Sequence, residues 1–546
     1  MGPNKYKLSF RWIAQIITLA FAIGSTSCGS SPSDMRSLVS SDTLIYLESN
    51  DLSKTLKLIT ENKEFVKASA SVPDISAIEG IQFAVAITGF NTSENQVTDD
   101  RSILNLKPEF VAVAETHLWS WQVRNLVEGA LAGFVKRTYG GNVKLEKRSM
   151  SSSERYIWTA EDGRKSFAAI TGARVYFGNS EEALERSLAA GRGDSESLLS
   201  NKALELEYVR SKGKLAFGFI SREAIKKIAG VFGVSVAIEK TEDENARGFI
   251  SRILPQILNN TAEEILWTAE ANDEGVTDNV FVKMTPDTSA ILNETIVSSN
   301  TKSDGIYGFL PPETRQITRY DLKDPRVAFR SVLLVAGKNV SEPDAKLIAA
   351  FSNSLLQPYG VTDSENFLSA VGQQLLTAQL DEDGDNSFAV VTIRDLEKIR
   401  SAVSGELDLN SGFEQRGAAK LWRSKDGDLA AAEIDNFFIL GNVEAVSKAI
   451  SAWSGRKISP QEAEKDFTKG KIFGILRKSE ASSATFGRGD ENVGRLVKVF
   501  GEVKKNEEPG FSNTLVETRV TRTGIERRYT SAFGFIGTIV SQFESQ

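Results

Sequence analysis

Two side chains occur once each in the 546 residues: Cys28 and His117. A thiol can be acylated, oxidised or bound to a soft metal, and an imidazole can move a proton or ligate zinc. A disulfide within the chain needs a second cysteine, and a zinc centre of the common kinds needs three or four His or Cys ligands. One residue of each type satisfies neither requirement. Ser–His catalysis would have to run through His117, in THLWSWQ, and no Gly-x-Ser-x-Gly turn presents a serine to it. With Trp119 and Trp121 close by, His117 is expected at the start of a helix. Ser299–Lys302 has Ser-x-x-Lys spacing without the companion motifs of serine acyl-enzymes. Neither a Walker loop nor a Gly-x-Gly-x-x-Gly turn occurs to cradle a phosphate.

Carboxylates are the remaining candidates, because paired acids can catalyse or bind metal unaided. The densest run is DEDGDN, Asp381–Asn386. It has the composition of a calcium loop, but Gly384 stands fourth where the EF-hand order needs glycine sixth. It lies between LLTAQL and SFAVVTI, so a solvated hairpin turn is expected, with weak calcium binding as the alternative. GRGD, an adhesion-type tetrapeptide, occurs at Gly191–Asp194 and Gly487–Asp490; both copies read as glycine-bearing polar turns. No catalytic, cofactor-binding or metal-binding residue is assigned, and no cofactor is expected.

The surroundings of Cys28 give it a role. The basic MGPNKYKLSFR precedes the apolar WIAQIITLAFAIG. As a helix that apolar run spans about 20 Å, short of a ~30 Å hydrocarbon core, and Gln15 interrupts it. This is the pattern of a processed export signal. Ser25-Thr26-Ser27-Cys28 then resembles a bacterial lipoprotein signal, with Ser25 where that pattern usually has Leu. The resemblance implies a signal peptide over 1–27, lipidation of Cys28, and a tether over 28–37. Two acyl chains hold a protein far better than one. The expected location is the bacterial cell envelope, membrane-anchored, in the periplasm or at the outer membrane. The alternative is a soluble exported protein cut nearby.

Apolar residues at 41% and charged residues at 25% indicate a folded body. Its formal charge is −7, and residues 1–27 carry three bases (Lys5, Lys7, Arg11) and no acid, so the mature chain is more acidic still. Such a chain repels phosphate backbones, which excludes nucleic acid as the expected partner.

The body is written twice. RYIWTAEDGRKSFAAITGARVYFGN (Arg155–Asn179) matches AKLWRSKDGDLAAAEIDNFFILGN (Ala419–Asn442), with 264 residues from Trp158 to Trp422. LVSSDTLIYLESNDL (Leu38–Leu52) matches LPPETRQITRYDL (Leu310–Leu322), with 270 residues from Asp51 to Asp321. Two matches at nearly one offset indicate duplication of a large unit, into lobes at 38–300 and 309–546 joined through Val297–Gly308. Strand-like alternation in GIQFAVAITGF, an Asp162-Gly163 hairpin, helical spacing from Val123 to Phe134, and caps at Asp51 or Ser53 and at Asp324 give an α+β fold with mainly antiparallel sheets. WTAE recurs at Trp158–Glu161 and Trp267–Glu270, where core packing is expected rather than an aromatic binding surface. SAFGFIGTIV is too short to span a bilayer and is expected to pack as a terminal helix or strand.

Ser40-Ser41-Asp42-Thr43 and Pro311-Pro312-Glu313-Thr314 each lead into a strand, an Asp-Leu pair and a helix. These openings resemble an uncharacterised family, a domain of unknown function, in large bacterial exported proteins and lipoproteins. Its modules tend to open with a Pro-Ala-Asp-like turn, from which Ser40-Ser41 departs. That resemblance implies no activity. The expected function is therefore non-enzymatic: a lipid-anchored envelope protein that binds an unknown protein or small ligand, or serves as a scaffold. A carboxylate-dependent envelope hydrolase is the alternative.

Overall fold

Among the described residues, twenty strands form one sheet in the computed structural model, each antiparallel to its neighbours. The residues described are 33–98, 101–150, 153–240, 244–299, 304–354, 356–403, 405, 407–410, 412–453, 471–488, 493–504 and 512–541. Cys28, the signal and the first part of the tether lie outside them. The first ten strands are β1 (Ile45–Ser49), β2 (Gln82–Thr98), β3 (Arg101–Glu115), β4 (Val143–Ser149), β5 (Glu154–Ala160), β6 (Lys165–Thr171), β7 (Arg174–Gly178), β8 (Ala216–Ile220), β9 (Ala262–Asn272) and β10 (Gly275–Met284). The second ten are β11 (Gln316–Asp321), β12 (Val371–Gln379), β13 (Ser387–Ile393), β14 (Glu414–Arg416), β15 (Ala419–Arg423), β16 (Leu429–Ile434), β17 (Phe437–Asn442), β18 (Ser483–Arg488), β19 (Asn513–Thr521) and β20 (Gly524–Ser531).

The strands run across the first half as β4-β5-β6-β7-β3-β2-β1-β8-β9-β10. Continuing from β10, the order is β20-β19-β18-β11-β12-β13-β17-β16-β15-β14. Adding ten to each strand number of the first half reproduces the second, read outward from the β10–β20 ladder. The outer strands β4 and β14 carry Lys144, Glu146, Lys147 and Arg148, and Glu414 and Arg416. Charge on an edge strand discourages further pairing.

Helices cover both faces, so the central strands are apolar on both sides. In β2 the large Phe83, Val85 and Ile87 enter a core under the helices Leu52–Thr60, Lys63–Ala68 and Ser120–Leu126. The small Ala84 and Ala86 face the opposite core, under the helix Glu181–Arg192. Alternation of large and small side chains in one strand therefore matches a thick helical layer on one face and a close one on the other. Val493, Leu496, Phe533 and Ile536, from the C-terminal helices, pack in the same core as Leu56 and Phe65. The C-terminal SAFGFIGTIV contributes the helix Gly534–Ser541.

Local signals act as elementary chemistry requires. Asp51 accepts from Lys54 N at 3.1 Å and caps the helix Leu52–Thr60. Asp324 accepts from Val327 N at 3.0 Å, with Pro325 in the first turn of its helix. Asp51 and Asp324 thus play the same capping role. Asp321, the partner of Asp51 in the sequence match, ends β11, lies buried and accepts from the Ser299 hydroxyl. Gly163, at φ 82°, closes the β5–β6 hairpin through Gly163 N to Ala160 O at 3.0 Å.

Candidate functional site

β1 and β3 end, and β2 and β8 begin, at one margin of the sheet: Ser49 is paired with Phe83 and Ala216, and Gln82 with Glu115. The connections there enclose a cleft of about 590 Å³. Asn50, Asp51 and Lys54 follow β1; Gly80 and Gln82 lead into β2; His117 follows β3; Lys212, Gly213 and Lys214 precede β8. Ser33 and Asp34 close the fifth side. His117 adopts the left-handed backbone at φ 54°, which turns the chain from β3 into the next helix. Most residues of the wall are of polar type, although their apolar atoms make up the larger part of its surface, and its charges are partly satisfied: Lys54 lies 3.4 Å from Asp51, and Lys214 pairs with Glu270. The Ser211 hydroxyl donates to Tyr208 O at 2.7 Å. Such a wall suits a ligand with both polar and apolar parts.

No protein family, curated protein or solved structure matches the chain.

Behind the cleft lies an ionic cluster around the buried Arg36, whose acidic partners reach solvent. Arg36, 1% exposed, donates to both oxygens of Asp34 (3.0 and 2.7 Å) and to Glu205 Oε2 at 2.7 Å, and its guanidinium stacks 3.5 Å above the Tyr208 ring. Further in, Tyr46 and Glu48 project from the same face of β1, two residues apart. Glu48 is 1% exposed; the Tyr46 hydroxyl donates to its Oε2, and its Oε1 is buried with no hydrogen-bond partner. Burial pushes this carboxyl up to about 7, against the downward pull of the Tyr46 and Tyr208 hydroxyls. The burial that raises Glu48 also seals it from the cleft.

Two further polar groups lie inside. Asp278 on β10 is buried, accepts from Trp267 Nε1 and from Phe535 N, each at 2.8 Å, and is pushed up to about 6 by burial. It thereby ties the C-terminal helix to the middle of the sheet. Arg319, fourth residue of β11 as Glu48 is fourth of β1, donates to Tyr307 Oη at 3.2 Å, Leu476 O at 3.0 Å and Ser479 O at 2.7 Å. The last two are carbonyls at the end of the helix Lys471–Lys478, where a cation complements the helix dipole.

The residues singled out in the sequence are not brought together. His117 lines the cleft. In Asp381–Asn386, between β12 and β13, Asp381 accepts from Gly384 N at 2.8 Å and Asn386 N at 2.9 Å, so both its oxygens hold a turn. Among the described residues no three His, Cys, Asp or Glu side chains converge on a metal position. In the first GRGD, Gly193 at φ 79° caps the helix Glu181–Arg192, and Arg192 pairs with Asp194 at 2.6 Å. Part of the second copy, residues 489–490, lies outside the described residues, as do residues 300–302 of the Ser299–Lys302 tetrad. Trp158 is fully buried, and Trp267 is half-buried with its indole N–H on Asp278. Glu48 and Arg36 escaped sequence reading because an acid in LESND and a base in DMRSL look solvated. The available signal was strand parity, which places Glu48 on the side of Tyr46.

Proposed function

We propose that this is a lipid-anchored protein of a bacterial cell envelope with a binding or scaffold role and no chemistry of its own, built from a duplicated ten-strand unit. The observation that carries the anchor is Cys28 at the end of a stretch that reads as an export signal, five residues ahead of Ser33. At Ser33 the body has already begun: Ser33 N donates to Gln82 Oε1 at 2.8 Å, and Gln82 Nε2 returns a bond to Ser33 O at 2.9 Å. The candidate ligand site is this cleft, for a protein segment or small ligand. A hydrolase would need a free acid facing substrate; Glu48 is sealed, and the two acids of the wall are engaged, Asp34 by Arg36 and Asp51 by the helix cap, which favours binding. Labelled palmitate fed to growing cells is expected to enter the wild-type chain and to be absent from Cys28→Ala. An unlabelled wild type refutes the anchor.

Duplication is supported by the repeated strand order and by the centre of the sheet. Gly275 and Gly524 open β10 and β20, and counting from each makes Asn279 and Arg528 equivalent; these two residues face each other in the ladder. An approximate twofold axis through that pair relates the halves. Val175 and Phe177 share a core with Trp158, and Phe438 and Leu440 share the corresponding core with Trp422. Chains 1–299 and 300–546, made together in one cell, are expected to co-purify through the β10 and β20 edges. Two halves that stay soluble and separate contradict this reading.

A further inference from the structure

The face that carries the cleft also carries two tryptophans in water. Trp119 is 68% and Trp121 60% exposed. They sit at the first turn of the helix Ser120–Leu126, directly after His117. The turn is fixed from beneath: Leu118 and Val123 belong to the main core, and Trp119 N donates to Gln122 Oε1 at 3.1 Å. The indoles are therefore held outward by a locked turn. Folding does not demand them there. The same place in the second half, after β13, reads Arg394-Asp395-Leu396-Glu397-Lys398.

We propose that Trp119 and Trp121 dock this face onto the lipid surface, seated at headgroup depth. The proposal rests on lipidation of Cys28. From Cys28 to the clamped Ser33 the chain spans at most about 18 Å in any conformation. A folded chain of 546 residues has a radius of gyration of about 24 Å. The tether is shorter than the radius, which holds the face bearing Ser33 near the membrane. Trp119 is on that face: Ser33 binds Gln82, Gln82 pairs with Glu115, and Trp119 follows four residues later. Indole rings partition to the headgroup region of bilayers, apolar body inward and N–H toward water. The acidic chain and the paired Lys54 and Lys214 argue against docking by charge. The cleft would then open along the membrane surface, with its ligand delivered from the side or from the headgroup layer.

The test uses the full lipidated protein in zwitterionic vesicles containing bromine-labelled lipid, which quenches indoles at headgroup and upper acyl depth. The wild type is expected to float with the vesicles and show quenching that high salt leaves unchanged. The Trp119→Ala/Trp121→Ala double variant, with both substitutions at exposed positions, is expected to float equally and lose most of the quenching. Flotation with equal quenching in both proteins overturns the docking and leaves the anchor standing. Quenching that disappears at high salt overturns it in favour of contact by charge. A wild type that does not float overturns the anchor, and the docking with it.

Discussion

Glu48→Gln is expected to stabilise the protein at pH 8 by roughly 2–3 kcal/mol and to leave it nearly unchanged at pH 4. The side chain is 1% exposed, and its carboxyl is raised from 4.5 to about 7. A raised acid favours the folded state while protonated. That contribution is complete below pH 4.5 and is lost as pH rises through 7. Glutamine keeps the shape, still accepts from the Tyr46 hydroxyl, and never ionises. Denaturation midpoints of wild type and variant from pH 4 to 8 should diverge as pH rises. Parallel curves would show that Glu48 reaches solvent or a cation in solution. What slope remains in the variant below pH 6 is expected from Asp278, raised from 3.8 to about 6 with only Trp267 Nε1 and Phe535 N as donors. Arg36 pulls Glu48 down less than burial pushes it up, and its bonds to Asp34 and Glu205 tie the guanidinium to other acids.

Much of the architecture was legible where the signal is local. Asp51 and Asp324 cap helices because a short acid before an amphipathic run satisfies free N–H groups, whatever the tertiary setting. Asp162-Gly163 makes a hairpin because glycine takes positive φ without strain. The alternation of Phe83, Val85 and Ile87 with smaller residues announced a strand, and its packing on both faces came only with the structure. What was not legible depends on distant partners. Nothing near β1 says that it lies between β2 and β8, or that β7 returns to β3. The matched Asp51 and Asp321 hold different places, Asp51 capping a helix and Asp321 ending β11, while the cap read at Asp324 is the one that starts the second helix, at Pro325. The cleft gathers five segments spread from Ser33 to Leu215, none distinctive alone. His117 was noticed for its rarity, yet its backbone, which sends Trp119 and Trp121 outward, matters more to the surface than its imidazole does to any visible chemistry.

Trp158→Ala is expected to cost about 3–5 kcal/mol, and Trp158→Phe only about 1 kcal/mol. Trp158 is fully buried, stacked on Tyr156 at 6.0 Å and 17° and edge-on to Phe177 at 6.4 Å. Truncation to alanine removes both ring contacts and leaves a cavity in a core continuous with the C-terminal helices. Phenylalanine keeps most of the stacking. It also removes a burden, because the Trp158 indole N–H is buried with no hydrogen-bond partner, as is that of Trp422. A buried donor without an acceptor costs about 1–3 kcal/mol, which offsets much of the lost area. Trp422, 4% exposed, edge-on to Phe413 at 5.7 Å and beneath Arg400 at 5.8 Å, is expected to behave in the same way. Urea unfolding of the four single variants separates two uses of a repeated tryptophan. A packing residue shows a large Ala effect and a small Phe effect in both halves. A residue whose N–H meets a ligand or hidden acceptor shows a Phe effect approaching that of Ala, and that result would place function where the fold places only core.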